Sequence, residues 1–149
     1  MLTIALIAQK GGTGKTTLAR SLAVAFERSG KAAAIIDMDP QASASLWAKR
    51  REDKTPEVIS TVLPLLSDTL KAAAESVEVV LIDTPPKNAD VAIAAARAAD
   101  LIIIPCRAQI DDIETLPATK QILDVTGSKP TFVLLNGVPP NQARSKEAA

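Results

Sequence analysis

Gln9-Lys10-Gly11-Gly12-Thr13-Gly14-Lys15-Thr16-Thr17 decides how the rest of the chain is read. The phosphate-loop pattern G-x-x-x-x-G-K-[ST], counted back from Gly14-Lys15-Thr16, asks for glycine at position 9. Gln9 stands there instead, Gly11 and Gly12 fall inside the loop, and a second lysine, Lys10, sits at its start. The physics of the loop survives this change. Glycines let successive backbone N–H groups turn inward as an anion cradle, and the following helix adds its positive end. Lys15 can reach β- and γ-phosphates, and the Thr16 hydroxyl can ligate Mg²⁺.

The flanks supply the context that the motif needs. Leu2 to Ala8 is a mostly apolar run and reads as a buried strand; Leu18, Leu22, Ala25 and Phe26 then recur at helical spacing, and Gly30 follows as a stop. The variant K-G-G-T-G-K-T-T in this setting resembles the deviant Walker A loop of the ParA/MinD family of P-loop ATPases. The resemblance implies that Gly11, Gly12, Thr13, Gly14, Lys15, Thr16 and Thr17 bind the nucleotide. It also implies that Lys10, the family's signature lysine, reaches across a dimer interface to nucleotide held by the partner. Spacing alone says only that a second cation lies beside the phosphate site.

Further along, Ala32 to Asp37 is a second apolar run ending in Asp37-Met38-Asp39-Pro40-Gln41. Acids at the C-terminal end of a strand lie where ligands bind in open α/β sheets. The string D-x-D-P-Q matches the family's second nucleotide motif, and by that resemblance Asp39 positions the attacking water while Asp37 supports the Mg²⁺ shell. Ser43 to Arg51 reads as a helix, and S-x-x-x-W after D-P-Q is similar to the smaller plasmid-type ParA proteins. The run Lys49 to Lys54 is mixed in sign, which suits either a solvated helix end or a patch contacting DNA or a partner. Pro56 to Ile59 suits a short strand and Pro64 to Ser76 a covering helix.

Val77 to Asp83 has the form of a Walker B strand, whose terminal acid can hold a Mg²⁺-bound water next to Thr16. Thr84-Pro85-Pro86 follows, stiffened by its two prolines; the resemblance implies a switch-like loop that senses the γ-phosphate. Asn88 is placed to cap an alanine-rich helix reaching Ala98. Leu101 to Pro105 is a fifth strand, with Cys106 just past its end as a small buried hydrophobe. Asp111, Asp112 and Glu114 precede an irregular helix to about Val125, with Pro117 in its first turns; the resemblance implies that this region borders the dimer interface and the nucleotide, and Asp111 is the acid singled out there. Thr131 to Asn136 is a sixth strand, and Asn136 resembles the family residue that hydrogen-bonds the adenine edge. Asn141 to Ala149 reads as the start of another helix.

Composition narrows the functional classes. The 149 residues are 47% hydrophobic, which suits a buried parallel sheet, whereas aromatics are only 2%, so the core must be built from Ala, Leu, Ile and Val. The 17 basic and 17 acidic residues cancel, which argues against a surface that coats nucleic acid generally. One cysteine and no histidine exclude an intramolecular disulfide, His-based catalysis and a cluster of cysteine ligands, so an electron carrier of the nitrogenase-reductase type is disfavoured. No amphipathic tail of the MinD type is visible before Ala149.

The expectation is therefore an α/β, three-layer αβα P-loop NTPase fold with a mostly parallel sheet. Residues 1–149 are expected to form one domain, which the resemblance implies is truncated at the C-terminus relative to the family. The resemblance implies an ATPase using ATP and Mg²⁺, with Lys10, Lys15 and Asp39 catalytic and Thr16, Asp37 and Asp83 at the metal. It further implies an ATP-dependent homodimer working in plasmid or chromosome partition, on non-specific DNA, with a ParB-like or other small activating partner and no membrane. The compartment expected is the cytoplasm, on the nucleoid. A membrane-associated positioning ATPase and a non-hydrolysing interaction protein remain the alternatives.

Overall fold

A computed structural model of the chain describes residues 1–138. The elements run β1 (Leu2–Leu6), α1 (Lys15–Arg28), β2 (Ala33–Asp37), α2 (Ser43–Lys49), β3 (Glu57–Ser60), α3 (Leu66–Ala73), β4 (Val79–Asp83), α4 (Ala89–Ala98), β5 (Leu101–Arg107), α5 (Ile110–Ile113), α6 (Leu116–Asp124) and β6 (Thr131–Asn136). The six strands form one sheet in the order β3-β2-β4-β1-β5-β6. Every described pairing is parallel. The expected α/β architecture is thus present, with a sheet that is parallel across all described strands.

The apolar runs are continuous because both faces of the sheet are covered. Alternate residues of each strand serve opposite faces. Ile4, Leu6, Ile35, Val79 and Leu81 pack with Ala19 and Ala23 of α1, Ala44 of α2, and the flanking Leu18, Leu22, Phe26 and Trp47. Ala5, Ile36, Val80, Ile82 and Ile102 pack with Leu66 and Ala73 of α3, with Val91, Ala92, Ala95 and Ala96 of α4, and with Leu116, Ile122 and Leu123 of α6. Alanine on the helix faces lets these helices sit close to the sheet, which is how a chain so poor in aromatics still excludes water from both layers.

Several boundaries differ from expectation, three of them beyond a residue or two at an element's end. Cys106 lies inside β5, where it is buried, because β6 pairs with β5 as far as Arg107↔Asn136. The irregular helix is two helices, α5 and α6. Pro117 is the cause: its ring would strike the carbonyl of Ile113, four residues back, and α5 ends at Ile113. Pro64 sits in a 3-10 turn, Leu63–Leu65, ahead of α3. The helix expected from Asn141 falls outside the described residues.

Parallel pairing puts all strand tips on one rim. Asp37 and Asp83 are register partners on β2 and β4, Asp83 is partnered on its other side by Leu6 of β1, and Ser60 lies opposite Asp37. Farther along the same rim, Arg107 of β5 faces Asn136 of β6. The glycine loop leaves this rim directly after β1.

Candidate functional site: a phosphate loop with an unpartnered buried carboxylate

The loop turns on two glycines in left-handed backbone, Gly12 at φ 76° and Gly14 at φ 101°. Gly14 is the N-cap of α1, and Leu18 N–H donates to its carbonyl at 2.8 Å. No acid occupies the first turn of α1, so its positive end is left for an anion. Neighbouring segments hold the loop in place. Thr84 Oγ1 donates to the Leu6 carbonyl at 2.7 Å and Lys87 N–H to the Gln9 carbonyl at 3.2 Å, joining it to the segment after β4. Asn136 Nδ2 donates to the Thr13 carbonyl at 2.9 Å, and a Cβ on Gly14 would collide with that amide. Gly11 and Gly12 are exposed, Thr13 is buried, Thr16 is half-buried and Thr17 exposed.

Lys15 is only 6% exposed. Its ammonium donates to the carbonyls of Ala8, at 3.1 Å, and Lys10, at 3.4 Å. Burial lowers its pKa, while the charges of Asp83 and Asp39 oppose that fall.

Asp83 is 1% exposed, and neither carboxylate oxygen has a hydrogen-bond partner among the described residues. Burial raises its pKa to about 6; the Thr16 hydroxyl facing it and the Lys15 charge moderate the rise, and Asp37 and Asp39 add to it. An acid buried this way, without donors, is costly unless something with positive charge belongs beside it. The donor set fits Mg²⁺: a hard oxygen ligand at Asp83, with the Thr16 hydroxyl next to it. Among the described residues no cluster of three or more His, Cys, Asp or Glu forms a metal cage. Mg²⁺ needs none, since it is commonly held by one or two protein oxygens together with phosphates and water.

Asp37 and Asp39 behave differently from Asp83. The buried Asp37 carboxylate accepts from Ser45 N–H and Ser45 Oγ, both at 2.9 Å, and from Asp39 N–H at 3.2 Å. It therefore fixes the turn that carries Asp39 and the start of α2. Asp39 is half-buried and accepts from Gln41 N–H at 2.9 Å.

Lys10 does not point into open solvent. Its ammonium lies 2.7 Å from Asp112 Oδ1 and 3.7 Å from Asp111 Oδ2. The side chain of Asp112 is fully buried and also accepts from Arg107, by Nε at 2.7 Å, Nη2 at 3.0 Å and the backbone N–H at 3.3 Å. These bonds, Arg107's foremost, hold Asp112 well below the usual carboxylate range against the opposing pull of burial. The sequence reading stopped at Asp111, which is exposed, and missed Asp112 and Arg107. The available signal was Arg107 at a strand tip, five residues before an acid on a short helix, where an arginine fork can close on a carboxylate.

The rim thus brings together Lys10, the loop from Gly11 to Thr17, Asp83 and Asn136, with Asp39 carried on the adjoining turn. The profile of the CobQ/CobB/MinD/ParA nucleotide binding domain family matches residues 4–149. The chain belongs to this family. The maintenance of carboxysome distribution protein A of Gloeobacter kilaueensis is 32% identical over 92% of this chain and 63% of its own length. The chromosome-partitioning ATPase Soj of Thermus thermophilus is 28% identical over 74% of this chain and 57% of its own. Cobyrinic acid a,c-diamide synthase of Mycobacterium smegmatis, crystallised with ADP and magnesium, superposes with a TM-score of 0.78 at 17% identity, over 99% of this chain and 79% of that one. The chain spans 56–63% of the length of three curated relatives it matches. The fold of this nucleotide-binding family member is that of a P-loop NTPase.

Proposed function

We propose that the chain binds ATP with Mg²⁺, hydrolyses it slowly, and uses the nucleotide to control pairing with a second copy of itself in the partition or positioning of a cargo. The observation that carries this reading is the buried Asp83 carboxylate, without a hydrogen bond among the described residues, beside Thr16 at the mouth of a glycine loop that holds a buried lysine. The carboxysome-distribution and Soj relatives support the cargo-positioning part by likeness.

The loop amides and the α1 N-terminus receive the phosphates, and Lys15 moves from the Ala8 and Lys10 carbonyls onto the β- and γ-oxygens. Thr16 and Asp83 would hold Mg²⁺, which would supply neutralisation of the phosphate charge. Asp37 supports that shell from behind by fixing the Asp39 turn. Asp39 orients a water in line with the γ-phosphorus; the water oxygen forms the new P–O bond as the bond to the β,γ-bridging oxygen breaks, ADP leaves, and the water proton passes to an oxygen of the released phosphate. The reaction is largely dissociative, so no histidine or strong base is required. Asn136 takes the adenine edge. Lys10 of each copy meets the phosphates of the other, and the paired form engages non-specific DNA and a small activating protein on the nucleoid.

Calorimetry with ATP, with and without Mg²⁺, tests the reading. Wild type binds and turns over, Lys15→Ala loses binding, and Asp83→Asn loses the Mg²⁺ dependence. Absence of ATP binding by the wild-type chain would sink the proposal, whereas binding without turnover, with or without DNA, would leave a nucleotide-dependent interaction protein.

A further inference from the structure

Lys10 has a partner inside its own chain, and the geometry there is unusual. The Asp112 side chain is buried in α5, and all three described hydrogen bonds to its carboxylate come from Arg107, with Lys10 adding an ion pair. Removing one partner of a buried pair normally strands a charge and is strongly destabilising. Here it does not, because Arg107 stays as the resident counter-ion when Lys10 leaves. The Lys10 side chain itself is 29% exposed, so the ammonium can be rehydrated as it departs. The pocket holds Lys10 by charge and geometry, yet can release it without baring Asp112.

A second contact links this pocket to the phosphate site. The Lys15 ammonium donates to the Lys10 carbonyl at 3.4 Å as well as to Ala8. A phosphate that draws Lys15 away therefore removes a tie on the backbone of Lys10. The same event adds negative charge close to Lys10, which competes with Asp112 for its ammonium.

We propose that the Asp112–Arg107 pair is a resting dock for Lys10 within its own subunit, which withholds this lysine from a second copy of the chain until nucleotide loosens the loop. The inference rests on the cross-subunit role given to Lys10 under Proposed function. It makes the dock a contact that opposes pairing, and it gives Asp112 and Arg107 opposite signs. Asp112→Asn removes the charge that attracts Lys10 while keeping a similar shape. Arg107→Gln removes the competing cation and leaves Lys10 as the main counter-ion of Asp112.

The test is the rate of ATP-dependent dimer formation, followed by energy transfer between two labelled pools of the full chain. Asp112→Asn should speed pairing by about three- to fivefold, the effect of losing one partly exposed ion pair, and Arg107→Gln should slow it by a similar factor. Rates unchanged in both variants, or changed in the same direction, overturn the dock. Lys10→Ala separates this failure from failure of the functional reading: if Lys10→Ala pairs normally with ATP, the cross-subunit role is wrong whatever the dock does. If Lys10→Ala cannot pair and Asp112→Asn pairs at the wild-type rate, the dock alone is wrong. A variant that does not fold is bypassed by magnetic resonance of the ¹⁵N-lysine-labelled wild-type chain. The Lys10 ammonium should give a proton signal protected from exchange without nucleotide, and lose that protection with a non-hydrolysable ATP analogue. Exchange as fast as at a surface lysine in the nucleotide-free chain overturns the proposal.

Discussion

Asp83 shows how one residue ties stability to ligand. Its carboxyl titrates near 6 in the fold against an ordinary 3.8, so its ionised form is about 3 kcal/mol less favourable in the fold than in the open chain. The sign follows from proton uptake: between these values the native chain holds a proton that the unfolded chain has released. The contribution is present below about pH 4 and is lost as pH rises through about 6. The nucleotide-free chain should therefore lose melting temperature from pH 4 to pH 7, and Asp83→Asn should flatten that slope and gain several degrees at pH 7. Asp112 does not blur the result, because its lowered pKa makes its stabilisation fade only as pH falls below the usual carboxylate range. A second residue-scale outcome concerns Gly14. Its φ of 101° strains any side chain, and a Cβ would also meet the Asn136 amide. Gly14→Ala should cost roughly 2 kcal/mol or more in urea unfolding. Part of that cost should be recovered in an Asn136→Ala background, since only the collision is relieved and the backbone strain stays.

Among the elements, α4 has a defined start. Asn88 Oδ1 accepts from Val91 N–H at 3.1 Å, the side-chain N-cap foreseen from the sequence. Asn88→Ala should lower stability by about 1 kcal/mol, read as a shift in the urea midpoint at constant slope. Elements of this kind were legible because their signals are local: an asparagine before an alanine-rich helix, or an apolar run ending in aspartate. The strand tips carrying Asp37, Asp83 and Asn136 could be placed for the same reason. What the sequence hid is contact across elements. Nothing in the string says that Asp37 is taken up by Ser45, that Asp83 makes no hydrogen bond among the described residues, or that Arg107 closes on Asp112 and gathers in Lys10. Each of these depends on strand order and register, which bring β2 beside β4 and set the loop after β1 near α5.

For the whole molecule, the cross-subunit reading of Lys10 predicts a separation of properties. Lys10→Ala should keep ATP affinity within a few-fold yet remain monomeric with ATP in sedimentation velocity. An ATP-dependent dimer of that variant would contradict the assignment. Asp39→Ala should slow turnover far more than it weakens binding, and equal losses would count against its placing of the water.

The parallel sheet has a practical corollary. Every group discussed above sits on one rim, so the turns at the opposite end of the strands are spectators to the chemistry. Ser76 and Ser128 lie on those turns and are exposed, while the native thiol, Cys106, is 1% exposed. A cysteine introduced at either serine would take a fluorophore selectively, giving an optical handle on tumbling and pairing that leaves the working face untouched.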